Sequence, residues 1–158
     1  MLDSLNIKIL TLLQDNARLS ASEIAAEVGL SVPAAAERIK KLTDSGLIKN
    51  FAAILKAKKL GYDITAFIVV DCTSSDLYEH VVQKSLLDKN ILECHSITGE
   101  GSHLLKIRAR NSDDLEKLLG QIQSWSGVIR TRTMFVLSTF KETMVIDLGN
   151  QNTKEYND

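Results

Sequence analysis

Apolar residues recur at every third or fourth position through the first 47 residues of the chain, and this spacing predicts three short helices. The first helix is expected over about residues 4–14. The second follows a capping serine, Ser20, and ends at Gly29, where glycine adopts a left-handed backbone at low cost. The third follows Ser31 and ends at Gly46. Two helices joined by a tight turn that contains glycine are typical of a helix-turn-helix.

The pattern changes after this helical region. Residues 47–54 are predicted to form a strand that packs beside the helices as a wing, and residues 56–61 are predicted to form a lysine-rich linker. Apolar β-branched and alternating segments then predict four strands, with a helix after the first strand and after the third. The strands are expected over about 66–72, 91–98, 103–110 and 128–139, and the helices over about 75–87 and 112–125.

The order βαββαβ predicts a ferredoxin-like domain, in which an antiparallel sheet carries both helices on one face. The predicted fold class is therefore α+β. A winged helix-turn-helix domain with its linker is expected over residues 1–60, the ferredoxin-like domain over 61–147, and a polar tail over 148–158. The sheet face without helices must bury its apolar side chains, and a second copy of the chain is the simplest partner.

The third predicted helix has a buried stripe and a polar face. Ala35, Ile39 and Leu42 recur at the spacing of one helical face, whereas small and basic residues occupy the other side. Small side chains near the N-terminal end allow a helix to lie deep in a DNA groove, and the cations further along can contact phosphates. An ordinary surface helix with a solvated charged face is the alternative. The candidate DNA-binding residues are Ser31, Val32, Ala34, Glu37, Arg38, Lys40 and Lys41.

These candidates are expected to contact double-stranded DNA in two ways. Ala34 and Glu37 lie where a helix in the major groove meets base edges, and Glu37 can accept a hydrogen bond from a cytosine amino group. Arg38, Lys40 and Lys41 are expected mainly to hold phosphates. A sequence-specific regulator that binds a two-fold operator as a dimer is therefore predicted.

Charge is divided unevenly along the chain, although the net charge of the 158 residues is only −1. Residues 1–60 carry nine Lys and Arg against six Asp and Glu, whereas residues 61–158 carry ten against fourteen. A basic first domain fits contact with a phosphate backbone. No apolar run approaches a membrane span of about 20 residues, and the N-terminus is not a signal peptide. A cytoplasmic, nucleoid-associated protein is expected.

No constellation of catalytic residues is present, so an enzyme is not expected. Cys72 and Cys94 lie in apolar runs without a second ligand at metal-binding spacing, so the sequence predicts neither a metal site nor a cofactor. Gly99 and Gly101 lie in a turn between strands, whereas a phosphate loop opens a helix. An acylphosphatase-type enzyme is disfavoured because no turn supplies an anion cradle with Arg and Asn. The main alternative is a small-molecule-binding oligomeric module with little DNA binding.

Several short motifs occur in the order and spacing of one known family. In the first domain they are Leu2-Asp3, Ile9-Leu10, Arg18-Leu19-Ser20, Glu23-Ile24-Ala25, Val28-Gly29-Leu30-Ser31, Arg38-Ile39-Lys40-Lys41-Leu42 and Gly46-Leu47-Ile48. In the second domain they are Leu60-Gly61, Ile97-Thr98-Gly99, Leu104-Leu105-Lys106 and Gly127-Val128. Together they resemble the Lrp/AsnC family of feast/famine regulators. The resemblance implies a bacterial or archaeal transcription regulator whose second domain forms dimers that assemble further, commonly into octamers, and senses amino acids.

The resemblance also implies an effector site between dimers, at the turn after the second strand. In this chain the implied residues are Thr98, Gly99, Glu100, Gly101, Ser102 and His103, with Thr133 and Met134 from a neighbouring chain. The family's turn has Gly-Asp-x-Asp and then an aromatic residue, so Ser102 replaces an acid that could hold a ligand's ammonium group. Weak or no binding of ordinary α-amino acids is therefore expected. A plain tight turn, whose glycines serve only geometry, is the alternative.

Overall fold

A computed structural model gives the structure of residues 2–149, so most of the polar tail predicted over 148–158 lies outside the described residues. These residues form five α-helices and one four-stranded sheet. The helices are α1 (Ser4–Asp15), α2 (Ala21–Val28), α3 (Val32–Asp44), α4 (Tyr78–Leu87) and α5 (Ser112–Gln123). The strands are β1 (Ile64–Cys72), β2 (Ile91–Ser96), β3 (His103–Ala109) and β4 (Val128–Phe135).

The fold divides into two compact units. Among the described residues, the helical unit contains 2–54 together with 142–149, and the sheet unit is Leu55–Lys141. The returning segment is attached to α1 by the Gln14 side-chain amide, which donates to the Ile146 carbonyl at 3.0 Å and accepts from the Ile146 N–H at 2.7 Å. The helical unit is therefore built from both ends of the described chain.

Local capping defines the ends of the helices in the helical unit. Ser20 and Glu23 form the predicted capping box, in which Glu23 accepts from the Ser20 N–H at 2.7 Å and the Ser20 hydroxyl accepts from the Glu23 N–H at 3.2 Å. Gly29 ends α2 in the left-handed conformation, with φ +73°, and the Ser31 side chain caps α3. The helix-turn-helix prediction is confirmed. The apolar core of the unit consists of Ile9, Leu13, Ile24, Ala25, Val28, Ala35 and Leu42.

The segment after α3 differs from its prediction. Residues 47–56 form neither helix nor strand, so the strand predicted over 47–54 is wrong, although Ile48 packs against the helical core. Ile54 is 86% exposed and Phe51 45% exposed, and no ladder hydrogen bonds to another segment are formed here by the described residues. An isolated extended segment is not stable as a strand, since it needs a pairing neighbour.

The sheet unit has the predicted βαββαβ topology. Its strand order is β2-β3-β1-β4 with antiparallel pairing throughout, and the two long pairings align Ile68 with Leu105 on one side and with Thr133 on the other. The fourth strand ends at Phe135, four residues earlier than predicted. The Val136 N–H still donates to the Thr65 carbonyl of β1 at 2.9 Å, but residues 136–139 are not part of a strand.

The two faces of the sheet differ in what covers them. Along β1, Ile64, Ala66, Ile68 and Val70 are buried in the core with α4 and α5 residues, as are Ile107 and, in part, Cys94. The intervening side chains point to the other face. Because directly opposed residues on antiparallel strands share a face, this second face carries Phe67, Val69, Leu104, Lys106, Arg132 and Met134.

Candidate nucleic-acid interface and effector turn

The predicted DNA-binding side chains of α3 lie mostly on its exposed face. Ala35 and Leu42 are buried in the helical core, whereas Val32 is 46% exposed. The side chain of Ser31 accepts from the Ala34 N–H at 3.4 Å, which begins the helix at this face. The residues that share the exposed or half-exposed side are Ser31, Val32, Pro33, Ala34, Ala36, Glu37, Lys40 and Lys41.

Each of the two lysines forms an ion pair within α3. Lys40 contacts Asp44 at 2.5 Å and Lys41 contacts Glu37 at 2.8 Å, one helical turn away in each case. The hydrogen bond from Lys41 holds the pKa of Glu37 below its usual value, and the hydrogen bond to Asp44 raises the pKa of Lys40. Both lysines are about three-quarters exposed. Exposed pairs of this kind are weak, so they are readily exchanged for contacts to phosphate.

Arg38 is placed differently from the lysines. Its guanidinium donates to the Asp3 carboxylate at 2.6 Å and to the Asn6 side-chain oxygen at 2.9 Å, and both acceptors belong to the start of α1. The periodicity of α3 places Arg38 on the flank between the buried stripe and the polar face. Periodicity within one helix does not show that a side chain has a partner in another helix. Sequence analysis therefore missed Asp3 and Asn6 as neighbours of this site.

The turn between β2 and β3 is folded down onto β1. The Ser102 N–H donates to the Val70 carbonyl at 2.8 Å, and the Ile97 N–H donates to the Ser102 carbonyl at 3.1 Å. Gly101 has φ +100°, and a Cβ atom at this position would lie 2.3 Å from Val69 Cγ1. Glycine is therefore required here for both conformation and space.

The side chains of Ser102 and His103 point inward. Only 6% of Ser102 and 1% of His103 is exposed, whereas Thr98, Gly99 and Glu100 lie on the surface. The Ser102 hydroxyl donates to the Val70 carbonyl at 2.9 Å. His103 Nδ1 lies 2.9 Å from the same hydroxyl oxygen and donates to it, because the hydroxyl hydrogen is already directed at Val70. Burial lowers the pKa of His103, which favours the neutral imidazole.

A group of charged residues surrounds this turn. Glu100 contacts Arg132 of β4 at 2.8 Å, and the other Arg132 nitrogen lies 3.4 Å from Asp71. Arg130 also contacts Asp71, at 2.9 Å. Glu100, the acid of the predicted effector site, therefore has a cationic partner in the same chain.

Thr133 and Met134 are exposed on successive positions of β4, so they point to opposite faces of the sheet. Their expected place against a neighbouring chain stays a prediction.

Residues 2–149 contain neither a candidate metal site nor a candidate membrane span. In this range no three His, Cys, Asp or Glu side chains are grouped so that they could hold a metal ion. No helix within the same residues is both long and apolar enough to cross a membrane.

Comparison with known families gives two matches that together span most of the chain. Residues 2–49 match a winged helix-turn-helix DNA-binding model, and residues 65–146 match the Lrp/AsnC ligand binding domain. The first match contains the whole of α1, α2 and α3, and the second contains nearly all of the sheet unit. The matches therefore follow the order of elements observed in the fold.

Individual proteins of similar sequence and structure are transcriptional regulators. The HTH-type transcriptional regulator FL11 of Pyrococcus furiosus is 37% identical over 90% of this chain and 94% of its own. The leucine-responsive regulatory protein of Haemophilus influenzae is 33% identical over 90% of this chain and 87% of its own. A Neisseria meningitidis transcriptional regulator solved in complex with L-methionine superposes with a TM-score of 0.88 at 31% identity, covering 94% of this chain and 97% of the other. This chain belongs to the Lrp/AsnC family of helix-turn-helix transcriptional regulators.

Proposed function

We propose that the chain acts as a dimer or larger assembly that inserts α3 into the major groove of each half-site of a two-fold operator. The exposed face of α3 carries the proposal, because it combines small residues at its N-terminal end with two exposed lysines further along. The basic excess of residues 1–60 favours the same surface.

Individual side chains have distinct roles in this proposal. Ala34 and Glu37 contact base edges, and Ser31 and Val32 lie beside them at the helix start. Lys40 and Lys41 hold phosphates after they release Asp44 and Glu37. Arg38 was expected among the phosphate contacts, but its bonds to α1 favour a different role, which is developed below.

The second copy of the chain covers the sheet face that lies away from α4 and α5. Phe67, Val69 and Leu104 supply apolar area there, and Met134 is 51% exposed. We propose a homodimer at this face that assembles further into an octamer. Residues 1–60 and 61–147 are the DNA-binding and assembly domains of this regulator, which acts in the cytoplasm at the nucleoid.

For the effector turn we propose weaker amino-acid binding than in relatives that were solved with methionine. The backbone N–H groups of Gly99 and Gly101 lie in the turn, where they can donate hydrogen bonds to a ligand carboxylate. The ammonium group of an α-amino acid lacks a dedicated anionic partner, because Ser102 is neutral and points inward, and Glu100 would have to release Arg132 to bind it. We therefore expect ordinary amino acids to bind weakly or not at all.

DNA binding can be tested on a short duplex that the full-length parent protein selects from a random library. The Lys40→Ala/Lys41→Ala variant should bind all sequences more weakly, with a salt slope shallower by about two than that of the parent. The Lys84→Ala/Lys89→Ala variant removes the same charge from the sheet unit and should keep the parent slope. Equal slopes for the parent and the α3 variant would refute the proposed placement. A parent protein that selects no duplex would favour the small-molecule-binding module.

A further inference from the structure

Arg38 forms a polar link between α3 and the start of α1. One guanidinium nitrogen donates to Asp3 Oδ2 at 2.6 Å and to Asn6 Oδ1 at 2.9 Å. The Arg38 side chain is 30% exposed, compared with 75% for Lys40. A guanidinium that is held at the same time by a carboxylate and an amide has a defined orientation, and it is not projected outward with the neighbouring lysines.

Asp3 serves two helices at once. Its Oδ1 atom accepts from the Asn6 N–H at 2.7 Å and caps α1, while its Oδ2 atom accepts from Arg38 of α3. The Asn6 N–H, and then the Arg38 guanidinium, hold the pKa of Asp3 below its usual value. The carboxylate is therefore ionised near neutral pH, and the first turn of α1 is linked to the middle of α3.

We infer that Arg38 is a positioning residue for DNA recognition: together with Asp3 and Asn6 it sets the orientation of α3 against α1. This inference rests on the proposed insertion of α3 into the major groove. A helix that reads base edges must be held in a defined orientation, and small displacements of α3 would move all of its contacts together. The fully buried core residues of α1, Ile9 and Leu13, lie further along that helix, and in the first turn the polar link acts beside the partly buried Leu5.

The two candidate roles of Arg38 predict opposite effects of a change at Asp3. If Arg38 is a phosphate contact, neutralising Asp3 frees a cation and removes a negative charge from a DNA-binding surface, so DNA binding becomes tighter. If Arg38 positions α3, neutralising Asp3 loosens the link between the helices, so DNA binding becomes weaker. The sign of the change therefore separates the roles.

The decisive variant is Asp3→Asn in the full chain, measured on the duplex selected by the parent. Asparagine keeps a capping oxygen for α1 but removes the charge that holds Arg38. We expect binding to weaken by about threefold to fivefold with an unchanged salt slope. The matched control is Asp15→Asn, which removes the same charge from the other end of α1, where the side chain is exposed. This control should bind as tightly as the parent or more tightly.

Two further variants complete the test. Arg38→Gln should weaken binding by a similar factor, and its effect should not add to that of Asp3→Asn, because both variants break one link. Its salt slope should match the parent slope, whereas Lys40→Ala should make the slope shallower by about one. Thermal unfolding followed by circular dichroism checks that each variant is folded. If Arg38→Gln is not folded, the test depends on Asp3→Asn, which keeps a capping oxygen for α1.

Tighter binding by Asp3→Asn, or a slope for Arg38→Gln as shallow as that for Lys40→Ala, would overturn the positioning role. A failure of the proposed function has a different signature, since Lys40→Ala would then leave the slope unchanged. That result would overturn both proposals. Weaker binding by Asp3→Asn with normal binding by Asp15→Asn would establish the positioning role.

Discussion

The exposed face of α3 and the turn between β2 and β3 are the two candidate sites of this regulator, and they are built in opposite ways. On α3 the candidate side chains are exposed, and their ion pairs lie within one helix, as between Lys41 and Glu37. At the turn, Ser102 and His103 are buried and bonded to each other and to β1. A surface that must exchange its ion pairs for contacts to DNA uses weak pairs within one helix. A turn that is hydrogen-bonded to its own sheet has little freedom to reorganise around a ligand.

The largest expected effect comes from filling the space under the turn. Gly101→Ala adds a Cβ atom 2.3 Å from Val69 Cγ1 at a positive φ, so we expect the free energy of unfolding to fall by about 2–4 kcal/mol. Gly99→Ala is the control, because its φ is also positive but no atom lies within 4 Å of an added Cβ. It should cost only about 1–2 kcal/mol. Equal losses in urea unfolding would show that contact with β1 does not constrain the turn.

The next effect concerns the acid that the family's pattern has at the position of Ser102. Ser102→Asp places a carboxylate, which cannot donate, against the Val70 carbonyl in a buried position. We expect a loss of about 2–3 kcal/mol in unfolding free energy and no gain in calorimetric binding of leucine or methionine. Micromolar binding of either amino acid by the parent would contradict the proposed weak sensing. Binding gained only by the variant would show that the missing charge is the cause.

A smaller effect should appear when the pH is lowered. Burial holds the pKa of His103 below its usual value of 6.5, so the unfolded chain takes up a proton at a higher pH than the folded chain. The stability contributed by the neutral imidazole is complete above the unfolded pKa and is lost as the pH falls below it. Between pH 7 and 5.5 we expect a loss of at most about 1 kcal/mol from this residue.

The His103→Phe variant tests this assignment, because it keeps a ring beside Tyr78, whose ring centroid lies 4.9 Å from that of His103, but cannot titrate. Its stability should depend less on pH over this range than that of the parent. His95→Gln is the control, since the His95 side chain is exposed. A parent-like pH dependence in His103→Phe would assign the effect to other groups.

The smallest effect on stability should come from the α3 surface itself. Removing Lys40 and Lys41 together breaks two exposed ion pairs, so the midpoint of thermal unfolding should remain at the parent value while DNA binding weakens. A clear drop in the midpoint would mean that these pairs support the helix. The contrast between the two sites, one important for stability and the other for binding, would then be lost.

Much of this architecture could be predicted from local patterns. The capping box at Ser20, the glycine that ends α2 and the βαββαβ order depend on residues close together in the chain, and all three predictions are confirmed. The predicted strand over 47–54 is wrong because a strand requires a partner, and sequence periodicity cannot supply one. At the candidate sites, too, periodicity could not show partners that are distant in the sequence.

The sequence by itself determined which residues lie on the exposed face of α3, because helical periodicity alone separates Lys40 from Leu42. Only the tertiary structure decided where Arg38 and Ser102 point. Arg38 is bonded to Asp3, 35 residues earlier, and Ser102 to Val70, 32 residues earlier. A side chain at the border of a helix face or at the start of a strand takes the orientation that satisfies its polar atoms, and in both cases those partners are brought near only when the chain folds.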